Sequence, residues 1–210
     1  MLESHPASHV GECGLDRSDR CAAVPLEEQC EVLRRHLRLA KELGRATSIH
    51  CVRCSGALLE VLQSEGPFDD RCPVVLHAFS GPADLIPAFS RLGSVYYSLG
   101  GLLSRIGRAK AAGVARNVPL DRLLLETDAP DGQLRVDDEL AAAGVQLVQL
   151  EVLDAGVAAS CCRGSEKEES ANHPANLGAV LRMVSALSGR PLEELARASY
   201  RNARRVFLRS

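Results

Sequence analysis

Apolar residues gather in five short runs along the chain: residues 10–16, 47–50, 74–79, 94–99 and 123–125. The last begins with three successive leucines, Leu123, Leu124 and Leu125. Such a run predicts a strand buried on both faces, as in a parallel sheet covered by helices. Glu126-Thr127-Asp128-Ala129-Pro130 follows it, and Pro130 ends the strand by removing a backbone donor. Between the runs the period changes to that of helices. Pro25 opens a helix with Glu27, Glu28 and Glu31 in its first turns, where acids complement the dipole. Cys30, Leu33, Leu37 and Ala40 form its buried stripe, and Gly44 stops it. Shorter helices are predicted over residues 57–62, after the Ser80-Gly81-Pro82 turn through Phe89 and Leu92, and over residues 104–116. Asn172 caps a further helix with Leu177, Leu181, Val184 and Leu187 inward, ended by Gly189. Pro191 opens the last, with Leu192, Leu195, Ser199, Val206 and Phe207 inward and Arg197, Arg201, Arg204 and Arg205 outward.

Strand and helix therefore alternate. A (β/α)8 barrel of about 250 residues allots about 31 residues to each βα unit, and the spacing of the runs fits that allotment. The expected fold is an α/β chain of TIM-barrel type, incomplete, with five parallel strands and flanking helices. It is one domain over residues 1–210. Between Asp131 and Ala171 the periodicity fails, and charge runs such as Asp137-Asp138-Glu139 and the Glu166-Lys167-Glu168-Glu169 stretch replace it. Residues 132–171 are expected to form a flexible insertion.

Side chains alternate along a strand, so each run presents a particular set to one face. Glu12, Gly14 and Asp16 share a face of the first. Ser48 and His50 share one on the second, Val75, His77 and Phe79 on the third, and Leu124, Glu126 and Asp128 on the fifth. Each of these strands ends in a metal-ligating or acid/base side chain: Glu12, His50, His77 and Asp128. Carboxylates on an apolar strand are costly without partners. Four such groups at strand ends point to one shared site rather than four isolated core residues. Tyr96 and Tyr97 are expected to pack at the rim.

Composition narrows the setting. A net charge of -2 excludes a strongly basic nucleic-acid binder, although the arginines of the last helix form a local patch. No run approaches the length of a membrane span, so a soluble protein without a membrane partner is expected. Residues 1–6 lack the basic start and apolar stretch of a signal peptide. Eight cysteines without such a signal are expected as reduced thiols, in the cytoplasm or alternatively the nucleus. Cys51-Val52-Arg53-Cys54 has CxxC spacing, but no second CxxC accompanies it, and the pair is read as two structural thiols.

The ordered motifs Gly11-Glu12-Cys13-Gly14-Leu15-Asp16, Ile49-His50, Leu76-His77-Ala78-Phe79-Ser80-Gly81, Glu126-Thr127-Asp128-Ala129-Pro130 and Asn172-His173-Pro174-Ala175-Asn176 resemble the TatD family of metal-dependent deoxyribonucleases. Asn202-Ala203-Arg204-Arg205-Val206-Phe207 resembles the family's C-terminal signature. The resemblance implies a TIM barrel, of which the five runs are strands four to eight. It implies hydrolysis of phosphodiester bonds in DNA, of exonuclease type. It implies that Glu12, His50, His77 and Asp128 are metal ligands, that His77 and Asp128 are catalytic, and that Asp128 is the base that activates water. A divalent ion is implied, Mg²⁺ first, with Mn²⁺ or Zn²⁺ as alternatives.

The chain also departs from the family. Members carry a His-x-His pair on the first barrel strand, and none stands here. The basic residue that the family places just after the His50 position is displaced to Arg53. The first three barrel strands are expected to be missing, as in a truncated form, and activity to be impaired. The strands at both ends of the sheet would then leave edges open to self-association. Two other readings stand beside the nuclease: a metal-dependent amide or ester hydrolase on the same scaffold, and a non-enzymatic remnant.

Overall fold

The computed structural model describes residues 4–5, 7–148 and 172–208. Five parallel strands lie side by side in the order in which they occur. They are β1 (Val10–Asp16), β2 (Thr47–Val52), β3 (Val74–Leu76), β4 (Val95–Leu99) and β5 (Leu123–Leu125). The helices among the described residues are α1 (Leu26–Leu43), α2 (Ser55–Glu65), α3 (Ile86–Ser90), α4 (Arg108–Asn117), α5 (Asp138–Ala142), α6 (Leu177–Ser188) and α7 (Leu192–Phe207). This is the alternating α/β pattern expected, and the sheet is not closed. No described helix is long and apolar enough to cross a membrane.

Register explains which side chains go where. Cys13 pairs with Ile49, Ile49 with Leu76, Leu76 with Tyr97 and Tyr97 with Leu123, so these five form one row across the sheet. Ile49, Leu76, Tyr97 and Leu123 are buried in the large core shared with the helices. That burial, at about 25 cal/mol per Å² of apolar surface, is the main stabilising term. The rows on either side face the other way. Val75, Tyr96 and Leu124 join Ala46 and Val206, the last from α7, in a small second cluster. Both tyrosines are packed, but in the interior rather than at the rim, Tyr96 1% and Tyr97 0% exposed. The Tyr97 hydroxyl donates to the Ile86 carbonyl at 2.8 Å.

Two strands end earlier than expected, β3 before Phe79 and β5 before Pro130. β3 stops at Leu76 and β5 at Leu125 because Ala78 and Asp128 adopt left-handed backbone angles, φ 43° and 58°, that no ladder continues. The turn at Ala78 also moves Phe79 off the face of His77. Phe79 packs instead edge-on against Tyr97, ring centres 5.2 Å apart, on the helix-covered side. The expected helix at 104–116 is divided into a 3₁₀ turn at Gly101–Arg105 and α4.

α1 buries Leu33, Leu37 and Ala40 as expected, and Gly44 caps it with φ 62°. On α6 the inward stripe is Ala179, Val180, Met183, Val184 and Leu187, whereas Leu177 is exposed. Val184 and Leu187 are buried and Leu181 packs on the core as predicted, while Leu177, at the first position of the helix, falls outside the stripe. On α7 the buried residues are Leu195, Ala198, Asn202 and Val206, while Phe207 lies at the surface against His9. Of the arginines on that helix, Arg197 pairs with Glu193 at 2.7 Å and Arg205 with Asp70. Part of the expected insertion is described: α5 buries Leu140, and Leu134 and Val145 join the same core. The remainder, residues 149–171, lies outside the described residues.

The two outer strands end differently. Asn202 Nδ2 donates to the Leu120 and Leu123 carbonyls, each at 2.8 Å, so α7 covers the outer edge of β5. At the other side, the Gln29 side chain accepts from the Asp16 N–H at 2.7 Å and donates to the Asp16 carbonyl at 3.0 Å. It blunts the far end of β1. Between there and Gly11 no described strand pairs with that edge.

Asn202→Ala should destabilise the fold by about 2–4 kcal/mol, because two carbonyls of a buried strand end lose their donor. Arg201→Ala, an exposed neighbour, should change stability by no more than about 0.5 kcal/mol. Urea denaturation of both variants checks the difference.

Candidate metal centre

The strand ends converge. His50 follows from a requirement on its neighbour: Gly14 pairs with it across β1 and β2. A Cβ at position 14 would stand 2.0 Å from the His50 carbonyl oxygen, so only glycine lets the two strands approach there. The His50 ring is held from both sides, Nδ1 3.2 Å from Glu12 and Nε2 3.1 Å from Asp16.

His77 lies one residue past β3, where its N–H still donates to the Ile49 carbonyl at 2.9 Å. Its Nδ1 is 3.0 Å from the Glu126 carboxylate. The same carboxylate accepts the Ala78 N–H at 2.8 Å, so it grips ring and backbone together. On the opposite side of the ring, Nε2 is 3.3 Å from Asp128 Oδ1 and 3.8 Å from Glu12 Oε1. The His77 and Glu126 side chains are each 17% exposed, whereas Glu12 is 46% exposed. The clamp is therefore internal, and the Glu12 face is open.

Asp128 is presented by the left-handed turn after β5. Gly132, with φ 62°, lies so near that a Cβ there would come within 2.6 Å of the Asp128 Cβ. Asn172 holds this loop: its Nδ2 donates to the Thr127 carbonyl at 2.6 Å and to the Asp131 carbonyl at 2.8 Å, and its N–H donates to the Pro130 carbonyl at 3.0 Å. Its expected task was to cap a helix, and its amide is spent on the loop instead.

Charge follows from this crowding. Burial opposes protonation of His77, but the hydrogen bond and charge of Glu126, with Glu12 and Asp128 beyond, push the imidazole up to about 9. Burial raises the Asp128 carboxyl and His77 opposes the rise, while Glu126, Glu12 and Asp131 add to it. Burial also works against charge on Asp16, yet hydrogen bonds from Ser18 and His50 hold its carboxyl below the usual range.

All four residues predicted for the site thus come together. Among the described residues no group of three or more His, Cys, Asp or Glu side chains is placed to hold a metal ion. The four form a chain of neighbouring pairs, His50–Glu12–His77–Asp128, spaced 3.2, 3.8 and 3.3 Å apart. Donors that share one ion at bond lengths of about 2.1 Å stand roughly 3.0–3.4 Å apart, so two of the three spacings suit a common cation and the third is slightly wide. The mixed carboxylate and imidazole donors fit a divalent ion. Sequence reasoning left out Asp16, Glu126 and Asn172, which position the others. The signal for Glu126 was present in its sharing a strand face with Asp128. A groove of about 410 Å³ runs beside the site from Glu12, Gly14 and His50 toward Cys21 and Val24.

Glu126→Gln removes the charge that raises His77, so the imidazole should titrate lower by about one unit or more. An NMR titration of the metal-free ring resonances checks this; a value still near 9 would show that Glu12 and Asp128 suffice.

A family model described as TatD related DNase matches residues 1–208. The chain is 34% identical over 133 residues to the 3'-5' ssDNA/RNA exonuclease TatD of Edwardsiella piscicida, covering 62% of this chain and 48% of that protein. It is 30% identical over 200 residues to the protein of the same name from Dickeya dadantii, covering 94% of this chain and 64% of that one. The chain thus spans about half to two thirds of the length of these two relatives. Among solved structures, the Escherichia coli TatD homologue YJJV superposes with a TM-score of 0.72 at 25% identity, covering all of this chain and 68% of that one.

Proposed function

The chain belongs to the TatD related DNase family, and from that premise we propose that it is a divalent-metal-dependent nuclease, hydrolysing phosphodiester bonds in DNA from a chain end. The observation that carries this reading is the meeting of Glu12, His50, His77 and Asp128 at one end of the sheet, with His77 fixed by Glu126. The names of the two bacterial relatives support a nucleic-acid substrate, with RNA beside single-stranded DNA.

In this proposal Glu12, His50, His77 and Asp128 hold the ion, Mg²⁺ first and Mn²⁺ or Zn²⁺ as alternatives. When bound, such an ion supplies Lewis acidity to a phosphoryl oxygen and lowers the pKa of water toward neutrality. The protein's own part is positional and acid–base. Glu126 takes the His77 Nδ1 proton in a hydrogen bond, which leaves Nε2 to face Glu12 and Asp128. Asp128 is the base: one carboxylate oxygen accepts the proton of the attacking water as the water oxygen bonds to phosphorus and the bridging P–O bond breaks, the expelled sugar oxygen taking a proton from solvent. Asn172 keeps the Asp128 turn from drifting, since small misplacement of a base costs large factors in rate.

With end-labelled single-stranded DNA and Mg²⁺ or Mn²⁺, the chain should release nucleotides, and a chelator should stop it. Asp128→Asn should slow release by about 10²–10⁴-fold. Cleavage unaffected by chelator, or equal in Asp128→Asn, would overturn the reading.

The uncovered stretch of β1 completes the proposal as a contact surface for a second copy. Two such edges meet in a symmetric, self-complementary pair, since unpaired N–H and C=O groups along a strand invite pairing. Light scattering across a dilution series should show a dimer giving way to monomer; a monomer at every concentration removes this assignment.

A further inference from the structure

The two cysteines read from the sequence as structural thiols lie beside the metal centre without belonging to it; Cys54 sits in the core, where its Sγ donates to the Val52 carbonyl at 3.1 Å, and Cys51 packs against that core. Cys51 lies in the last turn of β2, and Cys54 is the residue that caps the start of α2. Between them Arg53 takes a left-handed backbone angle, φ 57°. That turn folds the chain back so that the sulfurs meet at 3.9 Å. Among the described residues no other two sulfurs lie within hydrogen-bonding reach of each other. Cys13 is engaged with the Ser48 carbonyl at 3.7 Å, and Cys72 with Asp69 at 3.3 Å. All six described cysteines are free thiols.

We propose that Cys51 and Cys54 are a redox-active dithiol that closes to an intrachain disulfide by exchange with a small-molecule disulfide such as oxidised glutathione. A disulfide needs its sulfurs about 2.05 Å apart, so the pair must close by a little under 2 Å, within reach of side-chain rotation. Access differs between the two: Cys51 is half-buried and Cys54 buried. Cys51 is therefore the attacking group; burial pushes its thiol up to about 12 and raises Cys54 as well, so the exchange is slow near neutrality and the incubation is run at alkaline pH. Its sulfur, as thiolate, bonds to one sulfur of oxidised glutathione and expels the other as glutathione thiolate. Cys54, having lost its proton to solvent, then attacks the Cys51 sulfur and expels the second glutathione. Two protein thiols are oxidised, one small disulfide is reduced to two thiols, and every proton is accounted for. The loop being closed holds only Val52 and Arg53 between the two cysteines, so closing it orders little additional chain.

Arg53 makes the linkage easy to read. Trypsin cuts after Arg45, Arg53 and Arg71, giving peptides 46–53 and 54–71, each with a single cysteine. The folded full chain is incubated with oxidised glutathione. Remaining thiols are then alkylated in acid denaturant, and the chain is digested. The expected result is the two peptides joined, with a mass about 2 Da below the sum of their reduced masses. The joined species should be the major form of Cys51, separate on reduction, and be missing from Cys51→Ser and Cys54→Ser. Circular dichroism of each variant establishes that its loss of linkage is not loss of fold. Recovery of both peptides fully alkylated, persistence of a stable glutathione adduct on Cys51, or linkage of peptide 54–71 to the peptide carrying Cys30 would each overturn the proposal. Because the readout is a mass, it stands or falls independently of any nuclease activity.

Discussion

The Glu126 carboxylate is the constraint on which the site depends. A charged group with 17% of its side chain exposed is stable only if its oxygens are well partnered. It has two partners, the His77 ring and the Ala78 N–H, and they lie just past the end of β3, two strands away. β4 runs between β3 and β5, so the clamp spans it above its C-terminal end. Gly100 makes room for this crossing: a Cβ there would sit 3.1 Å from the Glu126 side chain. The clamp sets the His77 ring, the ring sets which nitrogen faces Glu12 and Asp128, and the donor chain follows. Electrostatics follow too, because four carboxylates gathered about two imidazoles are tolerable only if protons or a cation offset their charge.

How much of this is written in the residues can be argued element by element. The strands were legible because a both-faces-buried strand leaves a continuous apolar run, and Leu123-Leu124-Leu125 is such a run. The long helix α1 was legible because eighteen residues give its stripe time to repeat. His50 and His77 were legible because period-two alternation places them toward the ends of β2 and β3, whereas Glu12 lies in the first half of β1 and Asp128 in the turn beyond β5. The departures arise where the backbone leaves regular conformations. Nothing in Ala78 announces φ 43°, yet that angle sends Phe79 to the opposite side of the sheet from His77. The start of α6 was misplaced for a similar reason. Asn172 has the chemistry of a cap, but its side-chain amide meets two carbonyls of a loop some forty residues earlier and its backbone N–H a third, a partnership set by tertiary proximity alone.

Asparagines do comparable work in two places. Asn172 ties the loop after β5, and Asn202 ties the carbonyls before and within β5. Both ends of the strand that delivers Glu126 and Asp128 are thus fastened by neutral amides from the C-terminal helical segment. An amide donates without bringing charge, which suits a place already rich in carboxylates. It also makes the geometry of the site depend on residues that come last in the chain and that touch none of its donors.

Gln29 has a consequence of another kind. With one carbonyl and one amide it presents to Asp16 the same pair of groups that a neighbouring strand would, so it behaves as a strand one residue long. Its Nε2 also donates to the Val24 carbonyl at 2.9 Å, closing the loop that leads into α1. Any chain that extended along β1 as far as Asp16 would have to evict this side chain and release that loop as well. The fold therefore measures out the edge that no described strand covers: a newcomer can zip along the strand only up to a built-in stop, short of the carboxylate that steadies His50.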